Sequence, residues 1–128
     1  MERAFQPIRV VIADDDEGYL GSLGTLIDHQ PELSVVGQAK DGVEAVELVD
    51  RLEPEAAVID LHMPRMDGVA AVAHMRRTHP SICLIALTGD PDPDLLTAAT
   101  DAGADGVFLK GEMVDNLVQR LAGLRRSA

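Results

Sequence analysis

Aromatic residues are almost missing from this chain of 128 residues, which holds two Phe, one Tyr and no Trp. Its core must therefore be built from Val, Ile, Leu and Ala, and a hydrophobic content of 46% supplies enough of them for a globular domain. Cysteine is just as scarce. A single Cys83 excludes a disulfide framework within the chain, and its place in the apolar run ICLIAL reads as a small core hydrophobe in a reducing compartment. Basic residues are outnumbered, 11 against 22 acids, for a formal charge of −11. A field of that sign repels phosphate backbones and anionic lipid, which argues against direct nucleic-acid binding or membrane docking by this domain. The one basic cluster, Arg120, Arg125 and Arg126, reads as solvation of a helix terminus or the start of a linker. Long apolar runs are lacking too: no stretch approaches the ~18 residues of a membrane span. The opening MERAFQPIRV has no signal-peptide core, so a cytoplasmic location is expected.

The length suits one core and no second, so residues 1–128 are expected to form a single domain with its core from about residue 8 to residue 124. Five short aliphatic runs recur: IRVVIA (8–13), LSVVGQA (33–39), AAVID (56–60), ICLIALT (82–88) and GVFLK (106–110). The first, third and fourth are nearly continuously apolar, as in parallel strands covered on both faces. Between the runs, apolar residues recur at helical spacing: Leu20, Leu23, Leu26, Ile27; Val43, Val46, Leu48, Val49, Leu52; Val69, Val72, Ala73, Met75; Leu95, Leu96, Ala98, Ala99. Met113, Leu117, Val118, Leu121 and Leu124 form a last such set. Asp41-Gly42 and Asp92-Pro93 are helix-start signals, and Pro54, Pro80 and Gly103 stand just past helix ends. Gly18, Gly21 and Gly24 are out of place, since each costs a helix about 1 kcal/mol relative to Ala. Either that helix packs unusually close to a neighbour or it is soft.

Strands alternating with helices imply right-handed βαβ units, hence a three-layer α/β sandwich around a parallel sheet. Five strands in a chain this size suggest the flavodoxin-like order 2-1-3-4-5, with a crevice between strands 1 and 3 at their carboxyl ends. There the runs end in Asp14-Asp15-Asp16, Asp60, Thr88 and Lys110. Several carboxylates in one crevice call for a cation, and Mg²⁺, a hard ion that takes oxygen ligands, is the natural one. Beside it a carboxylate can attack a phosphoryl group, while a lysine and a hydroxyl meet the phosphoryl oxygens. Lys110 is one of only two lysines. It reads as a point charge for phosphate or carboxylate, or as an ammonium snorkelling from a strand end.

These residues resemble the receiver domain of two-component response regulators, over about Ile8 to Leu124. VIDLHMPRMDG (58–68) carries most of the resemblance, joined by ADD at the first strand, LTG at the fourth and FLKG at the fifth. The resemblance implies that Asp60 accepts a phosphoryl group from a sensor histidine kinase. Asp14 and Asp15 would be the acidic pair at Mg²⁺, with Asp15 the more direct ligand, and His62 would add its backbone carbonyl. Thr88 and Lys110 would sense the phosphoryl oxygens, and Gly89 would leave them room. Partners would be the kinase, a second copy of the chain on phosphorylation, and an output domain or protein target, with transcription as the controlled process or a stand-alone regulator as the other option. Signalling, with assistance of its own phosphorylation and dephosphorylation, is expected rather than enzyme turnover. His62 and Asp90 occupy positions that would set the lifetime of the phosphorylated state.

Two positions depart from the family pattern. Val107 stands where Tyr or Phe is usual, with Phe108 next to it, which bears against signalling by rotation of a ring. Gly111 follows the lysine where proline is common, so a cis bond is not guaranteed there. Blander roles apply elsewhere: Asp16 and Asp67-Gly68 suit helix caps and turns, DPDPD (90–94) a stiff loop, and His29, His74 and His79 make no ligand set. Two other functions compete. One is a receiver-like module that binds partners without phosphorylation; the other is a small phosphohydrolase of the haloacid dehalogenase type, for which the chain lacks both the cap insertion and the acidic fourth motif.

Overall fold

The structure, a computed structural model, describes residues 6–111 and 114–127, with the side chains of 114, 115 and 124–127 left aside. Five strands and five helices alternate: β1 (Ile8–Ala13), α1 (Glu17–Asp28), β2 (Leu33–Ala39), α2 (Gly42–Leu52), β3 (Ala56–Asp60), α3 (Gly68–Thr78), β4 (Cys83–Thr88), α4 (Pro93–Ala102), β5 (Gly106–Leu109) and α5 (Val114–Ser127). The strands form one parallel sheet in the order β2-β1-β3-β4-β5. This is the flavodoxin-like order expected from the alternation of apolar runs. Ile82 and Lys110 fall just outside the strands assigned to them.

Two layers of helix cover the sheet because β1, β3 and β4 are apolar on both faces. On one side Ile8, Val10, Ile12, Val58 and Ile85 pack under Leu20, Leu23 and Ile27 of α1 and Leu117, Val118 and Leu121 of α5. On the other, Val11, Ala57, Ile59 and Leu84 meet Ala45 and Val49 of α2 and Val72 and Met75 of α3. Leu61, Ala86 and Ala99 extend that layer beneath α4. Cys83 is buried in the first of these layers, as its run implied. Met113 and Leu124, expected on the apolar face of the last helix, lie outside the described residues or side chains.

Caps begin the helices where the sequence places them. Asp16 accepts from the amides of Gly18 and Tyr19, Asp41 from Glu44, Asp67 from Ala70 and Asp92 from Asp94. Of the three glycines in α1, only Gly24 is packed closely: a Cβ there would lie 2.8 Å from Gln38 on β2, whereas at Gly21 it would meet nothing. Close packing thus accounts for one of the three, and the other two lie on the exposed side.

At the opposite edge of the sheet from the strand ends, Arg76 of α3 acts as a clasp. Its guanidinium donates to the carbonyls of Gly103, Pro80 and Ile82 and to the Asp105 carboxylate, which itself accepts from the Leu84 amide. Arg120 adds a bond from Nη2 to the Asp105 carbonyl at 2.8 Å. It therefore fastens α5 to the loop before β5, instead of solvating a helix end or starting a linker. The side chains of Arg125 and Arg126 lie outside those described.

Asp16→Ala removes the acceptor for two orphan amides of α1 and should lower stability by about 1 kcal/mol, read as a smaller urea midpoint with unchanged slope.

Candidate functional site

Parallel strands bring their carboxyl ends to one edge of the sheet, and residues at or just past those ends meet there. Asp14 follows β1 and is fully buried, its amide donating to the Ala39 carbonyl at 3.0 Å. Asp60, the last residue of β3, is 2% exposed. Thr88 ends β4 and is also fully buried, and its carbonyl accepts from the Lys110 amide at 2.8 Å. That bond seats Lys110 so that its side chain returns over the sheet edge.

The ammonium of Lys110 lies 2.6 Å from Asp14 Oδ2 and 3.4 Å from Asp60 Oδ2. Asp14 Oδ1 accepts from the Asp16 amide at 2.9 Å, and Asp60 Oδ1 from the His62 amide at 3.2 Å. Asp15 is exposed at the mouth and completes a group with Asp14 and Asp60 in which one carboxylate oxygen from each lies within 4.8 Å of the others. Asp14 Oδ2 is buried, and no donor other than the ion-paired ammonium approaches it. Three converging carboxylates, all oxygen donors, with one of these oxygens short of hydrogen bonds, fit a hard divalent cation such as Mg²⁺. Among the described residues no other group of His, Cys, Asp and Glu has this spacing.

Burial pushes the Asp60 carboxyl up to about 6, with the neighbouring Asp14 adding to the effect while the His62 amide and Lys110 oppose it. Burial works against the Lys110 ammonium, but its bond to Asp14 and the field of Asp60 outweigh this and raise its pKa, so it stays charged. The Thr88 hydroxyl accepts from the Asp90 amide at 2.9 Å and donates to the Asp90 carbonyl at 3.2 Å. It is therefore engaged by its own loop. Gly89 is exposed and a Cβ there would meet nothing within 4 Å, so no protein packing demands a glycine. His62 and Asp90 are exposed at the rim, and Asp90 Oδ1 accepts from the Asp92 amide.

The loop from Leu61 to Asp67 is held by close backbone approaches. A Cβ at Gly68 would lie 2.2 Å from the Asp60 carbonyl oxygen, and one at Gly42 would lie 1.9 Å from that of Met66. The sequence marks Gly42 and Gly68 only as helix-start and turn residues, and it does not single out Tyr19, the one tyrosine. The Lys110 ammonium lies 4.7 Å from the centroid of its ring. Val107 and Phe108 occupy opposite faces, Val107 beside Leu61 and Ala86 under α4, Phe108 in the layer of α1 and α5. Phe108 therefore cannot stand in for the aromatic residue absent at 107.

Residues 10–122 match the sequence model of the response regulator receiver domain. The chain belongs to that family. The receiver domain is 33% identical to the uncharacterized transcriptional regulatory protein YvfU of Bacillus subtilis over 89% of its own length and 57% of that protein's. It is 30% identical to the transcriptional regulatory protein DegU of Brevibacillus brevis, over 88% of its length and 48% of that protein's. The chain thus spans about half the length of these curated relatives. Among solved structures, the signal receiver domain of the response regulator NarL from Mycobacterium tuberculosis superposes with a TM-score of 0.88 at 26% identity, covering 96% of this chain and 99% of that one. Receiver domains are signalling modules, and membership sets the phosphohydrolase alternative aside. Among the described residues no helix is long and apolar enough to cross a membrane.

The raised Asp60 value makes a pH prediction for the metal-free protein. Between the ordinary carboxyl value near 4 and about 6 the folded state holds a proton that the unfolded state has lost. Stability from this group is therefore full below that window and falls as pH rises through it. Asp60→Asn, which cannot ionise, should be more stable than wild type at pH 8 by up to about 3 kcal/mol, with the gap closing towards pH 4. Urea melts in chelator at both pH values measure it, and added Mg²⁺ should shrink the gap at pH 8.

Proposed function

We propose that this receiver domain accepts a phosphoryl group on Asp60 from the phosphohistidine of a sensor histidine kinase, in a Mg²⁺-dependent reaction. The observation that carries this reading is the buried Asp60 carboxylate, set 3.4 Å from the Lys110 ammonium and grouped with Asp14 and Asp15. A value of about 6 leaves Asp60 mostly ionised at neutral pH, which a nucleophile requires. Its oxygen attacks phosphorus while the histidine nitrogen departs with the bonding electrons. The His62 amide orients the carboxylate by holding Oδ1. Asp14, Asp15, Asp60 and the backbone carbonyl of His62 would hold Mg²⁺, which when bound neutralises charge on the transferring phosphoryl oxygens.

The phosphoryl group adds about −1.5 to −2 charge. Lys110, already within reach of Asp60, turns from Asp14 to the new oxygens, and the Thr88 hydroxyl leaves Asp90 to donate to them. Gly89 leaves their approach open. His62 and Asp90, at the rim, tune access of water and so the lifetime of the phosphorylated state, in which the domain assists its own dephosphorylation. Movement at Thr88 passes to α4 and β5, which would form the contact surface for a second copy or an output domain. Names and lengths of the relatives support a longer regulator of transcription in which residues 1–128 are the receiver unit; a cytoplasmic location and a separate DNA-binding output domain go with that reading. Val107 favours a second reading, partner binding without phosphorylation, because the ring that usually reports activation is missing.

Incubation with acetyl phosphate and Mg²⁺ should add one phosphoryl group by mass, with none on Asp60→Asn. Undiminished labelling of that variant would sink the proposal. Asp15→Ala should abolish Mg²⁺ binding by titration. Equal partner affinity with and without beryllofluoride would support the second reading instead.

A further inference from the structure

Lys110 has three partners, and only two of them are carboxylates. The third is the face of Tyr19, 4.7 Å from the ammonium to the ring centroid, well inside the ~6 Å range of a cation–π contact. The ring is firmly based. Its residue lies in the first turn of α1, with its amide bonded to the capping Asp16 carboxylate at 3.2 Å, and its side chain packs against the α1 and α5 layer of the core. The two carboxylates are the groups that a hard cation recruits, and a cation on their oxygens weakens their hold on the ammonium. The ring face is no ligand for such an ion, so its attraction for Lys110 persists.

We propose that Tyr19 is a positioning residue for Lys110, its ring keeping the ammonium at the pocket wall while the lysine changes partner from Asp14 to the phosphoryl oxygens on Asp60. This rests on the phosphoacceptor reading above. The contribution comes from the ring face, so the phenol hydroxyl is dispensable and an aliphatic side chain of similar bulk is not a substitute.

The chain has two lysines, and Lys40 is exposed and paired with Glu17, so ε-¹³C-lysine labelling gives two resolvable signals. The ε-protons of Lys110 should be shifted upfield by the ring in wild type and in Tyr19→Phe, both alone and with Mg²⁺ and beryllofluoride, and should lose that shift in Tyr19→Leu. Labelling by acetyl phosphate should slow about 3- to 10-fold in Tyr19→Leu and stay within about twofold of wild type in Tyr19→Phe. Mg²⁺ affinity measured alone should be the same in all three. Equal rates for Tyr19→Leu and wild type, a failure of Tyr19→Phe to rescue, or a ring shift that vanishes on loading would each overturn the inference. Wild type that takes no phosphoryl group at all overturns the phosphoacceptor reading first, and that result is scored on Asp60 without reference to Tyr19.

Discussion

Carboxylates crowd the carboxyl edge of this sheet in a chain that already carries twice as many acids as bases, and one ammonium holds them together. Two unit charges about 4 Å apart interact by roughly 4 kcal/mol near a protein surface, so the buried carboxylates repel one another, and burial together with the charge of Asp14 lifts the Asp60 carboxyl. Lys110 is what makes the metal-free arrangement tolerable. Its own placement depends on the sheet, through the amide bond to the Thr88 carbonyl. The electrostatics of the edge and the pairing of β4 with β5 are therefore one structure.

Asp14, Asp15 and Asp16 are neighbours in sequence yet serve three ends. Asp14 is buried, with the Lys110 ammonium at Oδ2 and the Asp16 amide at Oδ1. Asp15 is exposed and free to face an ion at the mouth. Asp16 turns its carboxylate to the start of α1 and so determines where Tyr19 stands. Crowding in the sequence is separated in space within one turn of chain.

Much of this was legible beforehand because the signals are local. Unbroken apolar runs mark strands buried on both sides, Asp41, Asp67 and Asp92 mark helix starts, and the strand ends then lie where topology brings them. The strand order and the convergence of Asp14, Asp15, Asp60 and Lys110 followed from those signals. The parts that were not legible depend on where side chains point across the fold. Thr88 bonds its own loop, Arg120 reaches Asp105, and Tyr19 meets a lysine from the far end of the chain. No periodicity encodes such contacts. Two signals do bear on them: a lone tyrosine four residues beyond Asp15, and a glycine that opens α3, where a Cβ would strike the Asp60 carbonyl.

The Arg76 clasp ties down one end of α4 and not the other. Helix α4 runs from the strand-end edge, where Asp92 caps it, to Gly103 at the opposite edge, where the guanidinium grips its last carbonyl along with those of Pro80 and Ile82. On the phosphoacceptor reading proposed for Asp60, a push delivered through Thr88 and Asp90 would arrive at the end of α4 away from the clasp. The helix would then turn about Gly103 as a pivot, with the displacement growing along its length and greatest in the first turn, beside the site that starts it.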